Sequence, residues 1–143
     1  MTRLGLIAIA GLLAAAAPAF GQTVGSCQRG ASIGPNTPWV LFDLGSAALR
    51  AEARPIIAEA VKQAKATQAV SVCLVGHTDK LGDKAMNAKL AEARARSVAT
   101  EMVKLGYPAK NIVIAADPEA FGNLSFGGSN ASEKDRRVSI LIK

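Results

Sequence analysis

Aromatic residues are scarce in this chain, with one Trp, one Tyr and four Phe among 143 positions. Large rings therefore cannot fill the interior, and Leu, Ile, Val and the many alanines must build it. The same scarcity, with no long Lys/Arg run, argues against nucleic acid, whose binders show a basic stripe or stacking aromatics. There is one histidine, His77, and no Cys/His cluster, which argues against a metal site. His77 is also the sole candidate base for a Ser-His-Asp triad, and the G-x-S-x-G nucleophile motif is missing. Asp79 can be paired on paper with Glu92 or Asp43 as a glycosidase couple, but Glu92 falls on the exposed face of a helix. Nothing in the sequence demands catalysis, and no catalytic residue, metal or cofactor is expected. No internal repeat or low-complexity block is visible.

What is present describes one folded, exported domain. Half of the residues are hydrophobic, which supports a core rather than disorder, and the length suits a single domain. Arg3 precedes an apolar run from Leu4 to Ala17, followed by Pro18-Ala19-Phe20-Gly21-Gln22. A short basic start, about 7–15 apolar residues and a small-residue exit describe a secretory signal. The run is too short for a bilayer span, which needs about 20 residues. Cleavage after Ala17, Ala19 or Gly21 fits equally, and an uncleaved anchor is the competing reading. The formal net charge of +6 becomes 16 − 11 = +5 once Arg3 is removed, and a dispersed charge of this size reads as a solvated basic surface.

Two cysteines, Cys27 and Cys73, remain after export. In an oxidising compartment an even pair points to a disulfide, which here would pin an N-terminal arm onto the domain. The rival is lipidation of Cys27, since Val24-Gly25-Ser26-Cys27 loosely resembles a lipobox. In that case, or with an uncleaved signal, the chain would be tied to a membrane. The expected boundaries are a signal over 1–21, an arm over 22–37 and a domain over 38–143.

Within the domain, Trp39 to Phe42 reads as a buried strand, and a turn follows at Asp43-Leu44-Gly45-Ser46. A helix then runs to about Thr67, with Pro55 acceptable only in its first turn and a stripe of Ala53, Ile56, Ile57, Ala60 and Ala64. Val70 to Val75 is a second strand. After the Gly76–Gly82 loop a long helix covers about Asp83 to Leu105, stopped by Gly106-Tyr107-Pro108. Ile112 to Ala115 is a third strand, residues 117–135 form a loop, and Arg136 to Lys143 is a last strand with clean alternation. The order βαβαββ predicts an α+β fold, a mixed four-stranded sheet with two main helices on one face and the other face largely open.

Polar residues interrupt these apolar stripes. The long helix carries Ala91, Ala95, Val98, Met102 and Leu105 on one side, and that side extended toward its start runs through Arg94 and Asn87. A guanidinium there must be paired or face a cleft, because an unpaired buried charge is very costly. Arg136 shares the parity of Val138, Ile140 and Ile142. Each has a structural alternative: ion pairing for Arg136, local bonding for Asn87, helix capping for Asp79 or Asp83, and a hydrogen-bonded structural role for His77.

Taken together, Phe42-Asp43-x-Gly45-Ser46-Ala47-x-Leu49, Gly76-His77-Thr78-Asp79-x-x-Gly82, Asn87, Leu90-x-x-x-Arg94-Ala95-x-x-Val98 and Arg136-Arg137-Val138 resemble an OmpA-like domain. This is the peptidoglycan-binding module shared by outer membrane protein A, peptidoglycan-associated lipoprotein and flagellar motor protein B, and the resemblance covers about residues 38–143. It implies non-catalytic binding of peptidoglycan through the meso-diaminopimelate of its stem peptide, in the periplasm of a Gram-negative bacterium. By position, Asp79 would pair with the ligand ammonium and Arg94 with its carboxylate. Asn87, Arg136, Asp43, Thr78 and Leu90 would line the site. Three departures stand out: Asp135 in place of Asn before the paired arginines, Ala116 to Phe121 in place of a Gly-x-Gly-Glu-like stretch, and Ala91 in place of Ser. They keep open an alternative function as a protein–protein interaction module of the cell envelope.

Overall fold

The computed structural model describes residues 27, 33–78, 83–115 and 135–143. The expected signal over 1–21, its cleavage sites, Asp79 and most of the 117–135 loop lie outside these residues. The described elements are β1 (Trp39–Leu41), α1 (Ala53–Ala66), β2 (Val72–Gly76), α2 (Lys84–Lys104), a 3-10 turn (Ala109–Asn111), β3 (Ile112–Ala115) and β4 (Arg137–Ile142). They form one sheet in the order β1-β4-β2-β3. β2 and β3 run parallel through the α2 crossover, and β4 runs antiparallel to both β1 and β2. The α+β reading of the sequence, with a mixed four-stranded sheet, holds.

The helices form where the apolar stripe and the terminal signals agree. α2 begins at Asp83, whose carboxylate accepts a hydrogen bond from the Ala85 amide at 3.0 Å; the capping role therefore falls to Asp83. It ends at Gly106, whose φ of +88° suits a residue without Cβ. α1 begins at Ala53 rather than directly after Ser46, and Pro55 sits in its first turn, where its missing N–H costs nothing. Residues 44–52 stay non-helical because their carbonyls and side chains are engaged by α2 and by each other, as described below.

The main core lies between the helices and one sheet face. It includes Phe42, Ile57, Leu74, Val98, Met102, Ile112, Val138 and Ile140. Ala91, Ala95, Val98 and Met102 of the anticipated stripe are fully buried, whereas Leu105 is 39% exposed because α2 has already ended. In α1, Val61 is buried and Ile56 only partly so. Val70 is 83% exposed; it lies before β2 proper and donates its amide to the Lys143 carbonyl at 2.7 Å.

The second sheet face departs from expectation. Cys73, Val75, Ala115 and Leu141 form a smaller core with Cys27, and Ile33 packs against it. Hence β4 lacks clean alternation: Val138, Ser139, Ile140 and Leu141 are all buried. The cover is held by a disulfide between Cys27 and Cys73, with Cα atoms 5.8 Å apart. A sulfur in that bond cannot carry a thioether-linked lipid, so the lipidated reading of Cys27 is set aside, and with it the membrane tether at that residue. Among the described residues no helix is long and apolar enough to cross a membrane.

Candidate functional site

The ends of β1 and β2 open toward the same edge of the sheet as the first turns of α2. Gly76, the last residue of β2, makes this approach close: a Cβ there would lie 2.1 Å from the Ala91 carbonyl oxygen. The α2 backbone therefore rests directly on the strand end. One turn further along the helix, Arg94 is 1% exposed. Its Nε donates to the Ser46 carbonyl at 2.8 Å, Nη2 to the Asp43 carbonyl at 3.0 Å and Nη1 to the His77 carbonyl at 3.3 Å. The guanidinium also lies over the Phe42 ring, 5.5 Å from its centroid. A buried charge is tolerated when its donors are satisfied, and here they join two loops, 43–47 and 77–78, to one helix.

Ser97, one turn on from Arg94, continues the grip: its hydroxyl donates to the Ala47 carbonyl at 2.6 Å. Arg136 donates from Nε to the Phe42 carbonyl at 3.3 Å, and Phe42 returns an amide bond to the Arg136 carbonyl at 2.8 Å. Asn87 and Leu90 lie half-buried on the Arg94 side of α2, at positions i, i+3 and i+7. Thr78 is half-buried just after β2. The structure thus brings Asp43, Thr78, Arg94 and Arg136 to one end of the sheet, with Asn87 and Leu90 on the first turns of α2. Asp79 falls in the segment outside the described residues.

The Asp43 side chain is not left open to solvent alone. Its Oδ1 accepts from Arg50 Nε at 2.9 Å and from Nη2 at 2.6 Å, and Glu52 lies 3.7 Å from the same guanidinium. Arg50 and Ser97 were not singled out in the sequence, and Ser46 stood there only as part of a turn and a motif. Arg50 carries no local signal because its partner Asp43 lies seven residues away, and Ser46 acts through its backbone carbonyl, which no side-chain pattern reports. The Ser97 hydroxyl sits beside Arg94 on the inward side of α2, and that placement was a usable signal.

His77 also belongs to this edge. Its amide donates to the Arg137 carbonyl at 2.8 Å, and its Nε2 lies 3.4 Å from the Ser139 hydroxyl. Burial, and then the Arg137 charge, push its pKa down to about 4, so the ring is neutral at ordinary pH. Arg137 itself lies over Trp39, 5.9 Å from the ring centroid. Burial lowers its pKa while the negative charge of Asp135 opposes that shift. Asp135 is thus electrostatically coupled to Arg137. Among the described residues no group of His, Cys, Asp and Glu could hold a metal ion.

Two helices against one face of a mixed four-stranded sheet define a two-layer α+β domain. Within that class the chain belongs to the OmpA family, whose sequence model matches residues 41–138. It is 33% identical over 105 residues to outer membrane protein A of Bordetella avium, covering 71% of this chain and 52% of that protein. It is 34% identical over 107 residues to the outer-membrane lipoprotein YfiB of Pseudomonas aeruginosa, covering 72% and 61%. The chain therefore matches only about half to three-fifths of these relatives' lengths. Solved structures share the fold. The OmpA-like domain of FopA1 from Francisella tularensis matches with a TM-score of 0.63 at 22% identity, over 90% of this chain and 94% of that one. The peptidoglycan-associated lipoprotein of Burkholderia pseudomallei gives 0.62 at 20%, over 76% and 96%. The cell wall anchor of the type VI secretion system of Pseudomonas aeruginosa gives 0.52 at 23%, over 71% and 73%.

Proposed function

We propose that this chain binds peptidoglycan non-covalently and without catalysis, gripping the meso-diaminopimelate of the stem peptide and so tethering or positioning itself at the cell wall in the periplasm. The observation that carries this reading is Arg94, a guanidinium 1% exposed on an otherwise apolar helix stripe, held by carbonyls of the loops that follow β1 and β2. Such a group fixes positive charge just beneath the loops that follow β1 and β2, rather than solvating a surface. Membership of the OmpA family supports the reading, as do the names of fold relatives, a peptidoglycan-associated lipoprotein and a cell wall anchor. In this reading Asp79 meets the ligand ammonium and Arg94 its carboxylate, while Asn87, Arg136, Asp43, Thr78 and Leu90 shape the walls. The disulfide agrees with an oxidising, extracytoplasmic compartment.

Co-sedimentation with purified diaminopimelate-type sacculi tests the reading. Wild type should pellet with sacculi, less so at higher salt, and Asp79→Ala or Arg94→Ala should each weaken binding by about 2–5 kcal/mol. Because Arg94 also supports the fold, Arg94→Lys is measured alongside, with near-UV circular dichroism as the check on packing. Equal sedimentation of wild type and the Asp79→Ala/Arg94→Ala double variant would refute the site, and then binding to another envelope protein becomes the better account. Clearing of a sacculus suspension would instead indicate an enzyme.

A further inference from the structure

At the end of the sheet opposite Arg94, β4 outruns its neighbour β1, and we propose that the edge left open there receives an extended, acidic peptide segment of a partner protein. The pairing shows which atoms lie on that edge. The Ile140 amide donates to the Pro38 carbonyl at 2.8 Å, whereas the Lys143 amide donates to the Ser71 carbonyl at 3.0 Å. Even-numbered residues of β4 thus aim their backbone groups at β1 and odd-numbered ones at β2. Continued toward the start of the chain, the pairing of Trp39 with Ser139 would set Asn36 opposite Ile142. Instead residues 34–37 turn: the Thr37 amide donates to the Gly34 carbonyl at 3.1 Å, and the Gly34 amide to the Thr37 hydroxyl at 2.9 Å. The chain leaves for the second sheet face, where Ile33 packs. Pro38 has no N–H to return to Ile140. The Ile140 carbonyl and the Ile142 amide and carbonyl therefore face the vacated place, and none of them has a partner among the described residues.

A groove of about 380 Å³ fills this place, bounded by the 34–38 turn, the last residues of β4 and Gln63 of α1. Donor and acceptor groups repeated at strand spacing are matched by another strand, which pairs backbone to backbone. One residue opposite Ile142 serves its amide and its carbonyl together. Side-chain alternation then sets the sequence of the incoming segment. Its residue opposite Lys143 lies beside an ammonium, and the lining of the groove contains no acidic side chain, so an aspartate or glutamate fits there. The next two residues lie against Ile142 and Leu141 and are apolar. Running in the direction of β1, the segment reads acidic, apolar, apolar, and it must then turn away because Pro38 occupies the following position. Arg136 and Ile142 flank the length of β4 (Arg137–Ile142), about 20 Å apart. The edge is thus separate from the proposed wall site, and the domain can hold a partner protein while it holds the wall.

Titration of the isotope-labelled intact protein with a blocked hexapeptide carrying Glu-Val-Leu at its centre tests this by NMR. The amide signals of Ile140, Ile142 and Lys143 should move, and the Ile142 amide should exchange more slowly with solvent, while the signals of Gly76 and His77 stay in place. Methylating the peptide's valine nitrogen removes the donor to the Ile142 carbonyl and should weaken binding about 10-fold, the equivalent of one lost hydrogen bond. Lys143→Glu, at an exposed position, should reverse the preference between this peptide and one with lysine in place of glutamate. Equal binding of the methylated peptide, or an unchanged preference in Lys143→Glu, overturns the proposal, as does failure of the hexapeptide to move these signals. Signals that move with protein concentration alone would assign the edge to a second copy of the chain and overturn the peptide partner. None of these outcomes bears on the sacculus measurement, so the two readings fail separately.

Discussion

Replacing Gly76 by alanine should both destabilise the domain and disable its proposed binding site, because one contact underlies both. The new Cβ would lie 2.1 Å from the Ala91 oxygen, 2.7 Å from its carbonyl carbon and 3.1 Å from its Cα, against ordinary contact from 3.4 Å. All three atoms are helix backbone, so no side chain can rotate away. Relief requires α2 and the end of β2 to separate by 3.4 − 2.1 = 1.3 Å. A shift of that size exceeds the slack in the Arg94 bonds, which span 2.8 to 3.3 Å. Overpacking alone costs about 1–3 kcal/mol, and a buried guanidinium losing partners adds a comparable amount. A total of about 2–6 kcal/mol is a large share of the 5–15 kcal/mol typical of a domain. Urea denaturation followed by circular dichroism reads this as a lowered midpoint, and sacculus co-sedimentation below the midpoint reads the displaced Arg94. Gly34→Ala, with nothing within 4 Å of the added carbon, is the silent control. If Gly76→Ala matches wild type within about 0.5 kcal/mol and binds sacculi equally well, α2 is not seated on β2 as described, and the placement of Arg94 fails with it.

Further outcomes follow from the same geometry. Cys27→Ser with Cys73→Ala opens a cross-link of sequence separation 46; loop entropy alone gives a loss of about 4 kcal/mol, readable as a lower denaturation midpoint than that of the oxidised protein. His77 has a folded pKa of about 4 against 6.5 unfolded. The unfolded chain therefore binds the proton more tightly, and the stability this neutral ring provides is full above pH 6.5 and lost as pH falls toward 4. The difference of 2.5 units corresponds to at most about 3 kcal/mol, and His77→Gln should flatten the stability slope across that window in a pH series of urea melts. The Tyr107 hydroxyl is buried without a hydrogen-bond partner among the described residues, and burial raises its pKa. Tyr107→Phe should therefore leave thermal stability unchanged or raise it by up to about 1 kcal/mol; a loss above 2 kcal/mol would reveal a bond to the hydroxyl.

The elements were legible in the sequence because their signals are local. Periodicity placed both helices and all four strands, Gly106 and Pro108 marked the end of α2, and an arginine on an alanine stripe declared a polar group inside a core. Those features depend on residues within a turn or two of one another, and the chain carries them without reference to anything distant. The pairing of Cys27 with Cys73 was suggested by their even count, but its consequence, a second small core in which Leu141 packs with both cysteines, depended on residues 46 positions apart meeting on the second face of the sheet. Arg50 and Ser97 gain meaning only from Asp43 and Ala47, seven and fifty residues away. The carbonyls that hold Arg94 belong to backbone, which is alike at every position and leaves no mark in a sequence. Local pattern therefore determined that a charge would be buried at this edge of the sheet, and only the packing of α2 on Gly76 decided which atoms would receive it.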